Sequence, residues 1–406
     1  MELRPILSAM RRNKFGAVLI AVQMSVTLAF LVNSLSLIEQ RLAHSARPTG
    51  VDEADLFVIS TEPVDSLHDP AARESDDVAA LRSLEGVTDA YATNDYPLAG
   101  GGMAMSVQLT PEQKVGSALT AYYFGDEHTL GTLGLKLIAG RNFTADEIAT
   151  RTESDIGAIS SVIVTKALAD KVFPGGDALG KSIYMESDTK SVRIVGIVER
   201  MQTPFYGVTG VVSTFAENST IAPYRYIDKY ANYMVRAKPG QRDRVINAAE
   251  ATLRQMDSER IITIKTLSQA RTDAYRGDHG LVALLGAVCV ALLAITAFGI
   301  VGLTSYWVSQ RRRQIGIRRA LGATRQAILR YFQTENLMIA AAGAAVGVMC
   351  AIALNLWMVR SFEVVRMDNS RALIGALIML GLGQLAVLYP ALRAASIPPA
   401  LATRGG

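Results

Sequence analysis

Four long apolar runs constrain the fold of this chain more than any other feature of its sequence. They lie at residues 16–38, 281–308, 337–359 and 372–389, and none contains a charged residue. About 20 helical residues cross the roughly 30 Å of hydrocarbon in a bilayer, and each run reaches or approaches that length. Four such helices without one charge are hard to bury in a water-soluble core. The pattern therefore predicts an α-helical membrane protein with four transmembrane helices.

The first run lies where a cleavable signal peptide would also lie, and basic residues precede it. Its apolar stretch is longer than the about 7–15 residues of a usual signal sequence, and no A-x-A cleavage site follows it. We therefore interpret residues 16–38 as an uncleaved membrane anchor.

Lysine and arginine residues near the ends of the runs indicate orientation, because short cytoplasmic flanks are enriched in both. Thirteen lie in residues 1–15, 309–336 and 390–406, against three in residues 360–371. We predict that the first three segments are cytoplasmic and that residues 39–280 and 360–371 lie outside. The thirteen are Arg4, Arg11, Arg12, Lys14, Arg311, Arg312, Arg313, Arg318, Arg319, Arg325, Arg330, Arg393 and Arg404.

Residues 39–280 predict a large α+β domain inserted between the first two transmembrane helices. Residues 41–280 carry 32 acidic and 25 basic side chains, a balance of −7, and contain neither of the two cysteines, Cys289 and Cys350. Apolar patterning predicts strand–helix–strand units near both ends and a third inside an insertion at about residues 100–225. The predicted strands are 56–60, 87–92, 161–165, 191–198, 233–237 and 261–266, and the helices 76–84, 166–173 and 239–256. Asp76 and Asp77 suit the start of the first helix.

Polar and small residues inside the runs are typical of helix packing. Amide side chains in apolar spans form interhelical hydrogen bonds, and closely spaced glycines let helices approach each other. The residues concerned are Gln23, Asn33 and Gln384, with the glycine pairs Gly343 and Gly347, and Gly381 and Gly383.

Residues 175–182, GGDALGKS, match the phosphate-binding pattern G-x-x-x-x-G-K-[ST]. A phosphate-binding loop requires a strand before it and a helix after it, so that helix N-terminal amides face the phosphates. Here a helical pattern precedes the glycines and a strand pattern follows, so we predict a plain glycine turn.

No catalytic, cofactor-binding or metal-binding residues are predicted elsewhere, and we do not expect an enzyme. The histidines show no metal-ligand spacing, and residues 126–128, Asp-Glu-His, are interpreted as a solvated loop. The segregated charge is typical of a membrane protein and does not indicate binding of nucleic acid. The four histidines are His44, His68, His128 and His279.

The cytoplasmic loop at residues 309–336 is the candidate functional site. Apolar residues alternate there with arginines before a Gly-Ala break, and Thr324 can cap a following helix. A short helix with an apolar and cationic face suits docking onto a partner protein, whereas a plain retention loop would lie against anionic lipid headgroups. The predicted docking residues are Arg311, Arg312, Arg313, Gln314, Ile315, Gly316, Ile317, Arg318, Ala320, Leu321, Gly322 and Ala323.

This loop resembles the signature R-x-x-x-IG-x-x-x-A-x-GA of the MacB/FtsX permease family, here with Ile315-Gly316, Ala320 and Gly322-Ala323. Further segments resemble periplasmic and C-terminal motifs of the same family, so the resemblance covers nearly the whole chain. These segments are residues 131–143, 167–181, 195–198 and 389–401. Two departures are Gln314, where the family usually has an acidic residue, and residues 397–402, which lack the family's acidic residue.

The resemblance implies a permease subunit of an ABC transporter in the bacterial inner membrane, with residues 39–280 as a MacB-like periplasmic domain. Its expected partners are two copies of an ABC ATPase that binds the ATP, a second permease chain (identical or paralogous), membrane lipid and, as a further candidate, a periplasmic adaptor. Because 15 residues precede the first span, we expect the ATPase to be a separate polypeptide.

Mechanotransmission to a periplasmic substrate is the function that the resemblance implies. The alternatives are an FtsX-like regulator that activates an extracytoplasmic enzyme, and a membrane-anchored sensor or binding protein without an ATPase. Residue types alone do not name the substrate.

Overall fold

The computed structural model describes residues 14–64, 69–152, 158–186, 190–207, 210–362 and 366–396. It divides the chain into two compact units: a helical unit of Met1–Ser45 and Asp278–Gly406, and an α+β unit of Ala46–Gly277. Some predictions above fall on residues outside the described part, namely Arg4, Arg11, Arg12, His68, Arg404 and the C-terminal motif at 397–402.

The described residues form helices and strands in the following order. The helices are α1 (Lys14–Ser45), α2 (Pro70–Ser83), α3 (Thr129–Leu133), α4 (Lys166–Val172), α5 (Gly210–Ser213), α6 (Arg242–Met256), α7 (Leu267–Gln310), α8 (Arg312–Ala320), α9 (Arg325–Phe362) and α10 (Asn369–Ala395). The strands are β1 (Leu56–Glu62), β2 (Val87–Thr93), β3 (Ala104–Gln108), β4 (Ala118–Phe124), β5 (Leu137–Gly140), β6 (Ala149–Arg151), β7 (Ser161–Thr165), β8 (Ser182–Met185), β9 (Val192–Val198), β10 (Ser219–Ala222), β11 (Tyr224–Tyr226), β12 (Ala231–Ala237) and β13 (Ile261–Thr266).

Four helices in the described residues are long and apolar enough to cross a membrane: α1, α7, α9 and α10. Each contains one of the four predicted runs and extends beyond it at both ends. The predicted four-helix architecture with an inserted α+β domain is therefore confirmed, while the predicted bilayer boundaries stay predictions.

Helix α9 packs against α1 and α10 in the helical unit. A Cβ atom at Gly343 would lie 2.9 Å from the carbonyl oxygen of Ala21, and one at Gly347 would lie 2.9 Å from Cδ2 of Leu28. Any side chain at these glycines would push the helices apart, so the first predicted glycine pair is a packing contact. In the second predicted pair, a Cβ atom at Gly383 would lie 3.3 Å from Nδ2 of Asn336 on α9, whereas at Gly381 no atom of the described residues lies within 4 Å of a Cβ position.

Interhelical hydrogen bonds from amide side chains join α1 to α9 and to α7. Asn33 Nδ2 donates to the carbonyl oxygen of Ala351 at 3.1 Å, and Gln23 Nε2 donates to that of Ile295 at 3.1 Å. Of the three amides predicted to bond between helices, Gln384 differs. Its Nε2 atom is buried without a hydrogen-bond partner among the described residues.

A four-stranded antiparallel sheet, in the order β13-β1-β12-β2, brings together strands from both ends of the α+β unit. Its core includes Phe57 and Ile59 of β1, Leu81 of α2 and Val245 of α6. The predicted start of the first helix is wrong, because α2 begins at Pro70. The side chain of Asp69 accepts the N–H of Ala71 and caps the helix there.

The insertion forms a larger sheet in the order β5-β9-β7-β10-β4-β3-β8, in which β8 also pairs with β9. Six of its strands therefore close into a barrel. Alternate residues of β4 point to opposite faces: Tyr122 joins the core inside the insertion, and Tyr123 joins the core shared with β1. Strands β6 and β11 pair separately as a two-stranded parallel ribbon.

The false phosphate-binding loop has the topology that its sequence context predicts. It follows helix α4 and leads into strand β8, the reverse of the order that phosphate binding requires. Lys181 pairs with Asp177, and its ammonium nitrogen lies 5.0 Å from the ring centre of Phe173. The ammonium group of Lys181 is therefore engaged by residues next to the turn.

Candidate functional site

The candidate docking loop folds into one short helix between α7 and α9. Arg311 is the N-cap of α8, and Leu321 is its C-cap. Gly322 follows with φ of 95°, a left-handed conformation that glycine adopts without strain. The Thr324 hydroxyl then accepts the N–H of Ala327 at 3.2 Å, so the predicted cap starts α9.

A buried ion pair fixes the start of α8 against α9. Arg311 Nη1 lies 3.0 Å from Oε2 and 3.2 Å from Oε1 of Glu335, and both side chains are largely buried. Removing one partner of such a pair leaves a buried charge without compensation, which costs about 3–5 kcal/mol. Arg311, one of the twelve predicted docking residues, therefore holds the loop in place and is not free to meet a partner.

Two further contacts hold the helix from its inner face. Arg319 Nη1 donates to the carbonyl oxygen of Ala395 at the end of α10. Ile315 is 5% exposed and belongs to the same apolar core as Ile328 and Phe332 of α9. Ile315 is thus a packing residue of the helical unit, although the sequence pattern suggested that it faces a partner.

The outer face of the loop is apolar at its centre and cationic at its edge. Leu321 is 83% exposed and Ile317 is 46% exposed. Arg312 and Arg313 are also exposed, as is Gln314. We call these five residues the docking face.

The structure brings in two residues that the sequence analysis did not assign to the site, Glu335 and Arg319. Glu335 carried a signal that could have been used, because it is the only acidic residue between Asp278 and Glu363. A single carboxylate close to an arginine-rich loop predicts an ion pair with one of those arginines.

Metal binding gains no support from the described residues, where no group of three or more His, Cys, Asp or Glu side chains could hold an ion. The segment at residues 126–128 is not a plain solvated loop. Asp126 Oδ1 accepts the N–H of His128 at 2.9 Å, and His128 Nδ1 lies 2.9 Å from Asp89 Oδ2. The side chains of Asp126 and His128 therefore form hydrogen bonds within the domain.

Two family models match the chain, and together they cover most of it. The MacB-like periplasmic core domain matches residues 16–253, and the FtsX-like permease C-terminal domain matches residues 286–399. The chain belongs to the MacB/FtsX-type permeases. It is therefore an ABC transporter permease component, with four apolar helices that make it a multi-pass inner-membrane protein.

Individual relatives are distant. The chain is 25% identical to the macrolide export ATP-binding/permease protein MacB of Neisseria gonorrhoeae over 76% of its own length and 46% of that protein's. It is 24% identical to the uncharacterized ABC transporter permease YvrN of Bacillus subtilis over 62% of this chain and 64% of that one. The chain thus spans about half the length of the MacB proteins that it matches.

Solved structures of related domains resemble part of the chain. The periplasmic region of MacB from Actinobacillus actinomycetemcomitans matches 53% of this chain and 90% of that one, with 14% identity and a TM-score of 0.35. The extracellular domain of YknZ, a noncanonic ABC-type transporter from Gram-positive bacteria, matches 51% of this chain with a TM-score of 0.31. The family assignment rests on the two family models.

Proposed function

We propose that this permease couples ATP hydrolysis by a partner ATPase to conformational work on a periplasmic substrate. In this proposal the chain itself hydrolyses nothing and binds no cofactor, and two copies of the ATPase meet two permease chains. Family membership supports the ABC partnership. The observation that carries the proposal for this chain is the docking face on α8.

The docking face has the composition of a protein contact. A leucine that is 83% exposed next to a half-exposed isoleucine leaves apolar surface in water, and burial against a partner would remove it. Arg312 and Arg313 at the edge supply charge that an acidic rim of the partner would complement. Apolar centres with charged edges are usual in interfaces between proteins.

Contacts on the inner face of α8 provide a mechanical route from the docking face into the helical unit. The Arg311–Glu335 pair joins α8 to α9, and Arg319 joins α8 to α10. Helix α9 is joined in turn to α1, where Ser25 Oγ donates to the carbonyl oxygen of Gly343 at 2.7 Å. A displacement of α8 would therefore move the packed group of α1, α9 and α10.

The proposed orientation places α8 in the cytoplasm and the α+β unit in the periplasm. Thirteen basic residues in the predicted cytoplasmic segments, against three in the predicted short outer loop, support this direction. The four predicted spans contain no Asp, Glu, Lys, Arg or His residue, which disfavours a hydrophilic path through the bilayer. We infer that the work is done on a substrate or adaptor outside the membrane.

Stimulated ATP hydrolysis tests the proposal. The chain is purified with its ATPase in lipid nanodiscs, and the ATPase rate is measured for the wild type, for Leu321→Asp and for Ile317→Asp. Both variants are expected to lose most of the stimulation, because a carboxylate in the apolar centre of an interface is not compensated. Val115→Asp is the matched control, since Val115 is 79% exposed but lies in the α+β unit.

Unchanged stimulation in Leu321→Asp and Ile317→Asp would reject α8 as the docking site. Failure of any ATPase to purify with the wild-type chain would instead favour the anchored sensor or binding protein.

A further inference from the structure

A pocket of about 540 Å³ lies in the insertion of the α+β unit. Residues at the starts of β7, β8 and β9 line it, together with the glycine turn before β8 and the segment that follows β5. Its volume falls in the range of small-molecule sites, about 300–1,000 Å³. The described lining holds four serines and two arginines against one carboxylate, so hydroxyl and guanidinium groups dominate the pocket.

Arg193 is the middle residue of a row of three polar side chains. In the register of the sheet, Arg193 on β9 pairs with Ser161 on β7 and with Ser182 on β8. Directly paired residues point to the same face of a sheet, and the next residue along a strand points to the opposite face. Ile194 belongs to the core inside the barrel. The row therefore faces outward, where all three side chains line the pocket.

The charge of Arg193 is the one charge in the described lining that has no opposite charge beside it. Arg141 binds Glu147 through both terminal nitrogens, with Nη1 2.6 Å from Oε2 and Nη2 2.9 Å from Oε1. This contact with Arg141 holds the pKa of Glu147 down to about 2, so the carboxylate stays ionised and paired at neutral pH. Arg193 is exposed and forms no ion pair with a described residue. The pocket thus carries one uncompensated positive charge.

A buried hydroxyl next to Arg193 also lacks a partner. Ser161 is 1% exposed, and its Oγ atom has no hydrogen-bond partner among the described residues. The hydroxyl is near enough to Glu147 to help lower the pKa of that carboxyl group, but the two do not form a hydrogen bond of normal geometry. Buried polar groups normally have a partner. A molecule bound beside Arg193 would supply one for Ser161.

The glycine turn at residues 175–182 borders the pocket but offers no cradle for a phosphate. The N–H of Gly180 donates to the carbonyl oxygen of Ile194 at 2.8 Å, and the N–H of Lys181 donates to that of Ala178 at 3.1 Å. These amides are therefore already used within the protein. A carboxylate matches both the single charge and the forked donor geometry of Arg193. A phosphate dianion would keep one negative charge uncompensated.

We propose that this pocket binds a small hydroxylated carboxylate, with the carboxylate at Arg193 between Ser161 and Ser182. The hydroxyl groups of the ligand would face Ser160 and Ser191, whose side chains can donate and accept hydrogen bonds. A sugar acid has both features, because its ring carries several hydroxyl groups and a single carboxylate. The site does not depend on the ATPase docking proposed for α8.

Binding is measured by saturation-transfer NMR titration of the full-length chain in nanodiscs of neutral phosphatidylcholine. Glucuronate is the probe, glucose is the matched ligand without the carboxylate, and glucose 6-phosphate carries a phosphate instead. We expect saturable binding of glucuronate, and binding of glucose that is weaker by about tenfold or more. Tighter binding of glucose 6-phosphate than of glucuronate would overturn the assignment of a carboxylate ligand.

The charge is tested with Arg193→Gln. This variant is expected to weaken glucuronate binding about tenfold or more, the loss typical of a charged hydrogen-bond partner. Lys114→Gln is the matched control, because it removes one positive charge from an exposed position of the same unit outside the pocket lining. The control should bind glucuronate as the wild type does. Equal weakening in the two variants would show a general attraction of anions and would overturn the site.

Two further variants test the hydroxyl group and the space. Ser161→Ala should weaken binding about threefold to tenfold without lowering the melting temperature, because its hydroxyl has no internal hydrogen bond to lose. A lower melting temperature with unchanged affinity would make Ser161 a structural residue and overturn its role in the site. Ser182→Phe keeps Arg193 but fills the space beside it, and it should abolish binding. No saturable binding of glucuronate to the wild type, or wild-type affinity in both Arg193→Gln and Ser182→Phe, would overturn the proposal.

Discussion

Each unit of this permease contains a buried arginine–carboxylate pair, and the two pairs differ in surroundings. In the α+β unit, Arg260 and Asp77 are 2.6 Å apart and almost fully buried, and the Tyr233 hydroxyl donates to the same carboxylate oxygen at 2.8 Å. In the helical unit, Arg311 keeps 15% of its side chain exposed and joins the exposed helix α8 to α9.

The difference indicates two roles for the same chemistry. The Asp77–Arg260 pair joins the buried face of helix α2 to the residue that precedes β13, 183 residues away in sequence. It therefore stabilises the fold of the sheet. The Arg311 pair lies at the root of a surface helix, where it sets the position of the docking face. Breaking the Asp77–Arg260 pair should destabilise the fold of the α+β unit. Breaking the Arg311–Glu335 pair should uncouple the docking face from α9.

The largest effect is expected from Asp77→Ala. The change leaves Arg260 charged and buried without its partner, which costs about 3–5 kcal/mol of unfolding free energy. Thermal unfolding of the full-length protein in nanodiscs measures the loss of unfolding free energy. Hydrogen exchange in β1 and β12 shows whether the sheet is the part that is destabilised. Asp76→Ala is the matched control, because Asp76 is exposed on the same helix. Equal stability of the two variants would show that the pair does not stabilise the sheet.

Glu335→Gln should have a smaller effect on the unfolding free energy, about 2–3 kcal/mol and confined to the helical unit, because the amide oxygen still accepts a hydrogen bond from Arg311 and only the charge is lost. Hydrogen exchange in residues 312–323 should rise and stimulated ATP hydrolysis should fall, because α8 loses its contact with α9. The charge reversal Arg311→Glu combined with Glu335→Arg should recover part of the coupling, as interacting sites do in a double-mutant cycle. If the losses of coupling in the two single variants simply add in the double variant, the Arg311–Glu335 pair does not contribute to coupling.

Asp95 is a buried carboxyl group that differs from Asp77 and Glu335, because in the described residues its side chain pairs with no arginine. Its Oδ1 atom accepts the backbone N–H of Tyr96 at 2.9 Å. Burial raises the pKa of Asp95 from its ordinary 3.8 to about 7, partly offset by that bond. Between pH 3.8 and about pH 7, the Asp95 carboxyl group is protonated in the folded state and ionised in the unfolded state. Stability from this group is therefore present below about pH 4 and lost as pH rises to about 7.

Replacing Asp95 with Asn should accordingly remove this dependence. At about pH 8 the variant is expected to be more stable than wild type by up to about 4 kcal/mol, and near pH 4 the two should be similar. Thermal unfolding across this pH range measures the difference. A wild-type profile that is flat from pH 4 to 8 and matches the variant would contradict the assignment.

The smallest effect is expected at the exposed pair of Arg244 and Glu85, whose atoms are 3.1 Å apart. Glu85→Ala should change the unfolding free energy by less than about 0.5 kcal/mol, since solvent screens such pairs. A loss comparable to that of Asp77→Ala would show that burial does not explain the difference between the pairs.

Features that depend on local sequence were predictable. The four membrane helices follow from run length, and β7 spans residues 161–165 as predicted because its alternation and its flanking residues are local. The start of α2 was missed because the capping residue Asp69 lies seven residues before the start of the predicted helix at residue 76. The closure of β8 onto β9 depends on pairing within the insertion that apolar patterning does not specify.

Only part of the candidate site was predictable for the same reason. The composition of the loop indicated a helix with apolar and cationic residues, and the structure contains that helix. A helix of nine residues can turn either of its apolar residues inward, and the sequence does not say which. Packing on Ile328 and Phe332 buries Ile315 and leaves Ile317 and Leu321 outside. The pairing of Asp77 with Arg260 spans 183 residues and was likewise beyond local patterns.

Photocrosslinking in native membranes tests docking through α8 most directly. A photoreactive amino acid is placed at Leu321 and, in separate proteins, at the buried Ile315 or at Val115 of the α+β unit. Products are identified by mass spectrometry. The account predicts a product between Leu321 and an ABC ATPase subunit, with none from Ile315 or Val115. Products of Leu321 with lipid alone would contradict it and would favour a retention loop that lies against the headgroups.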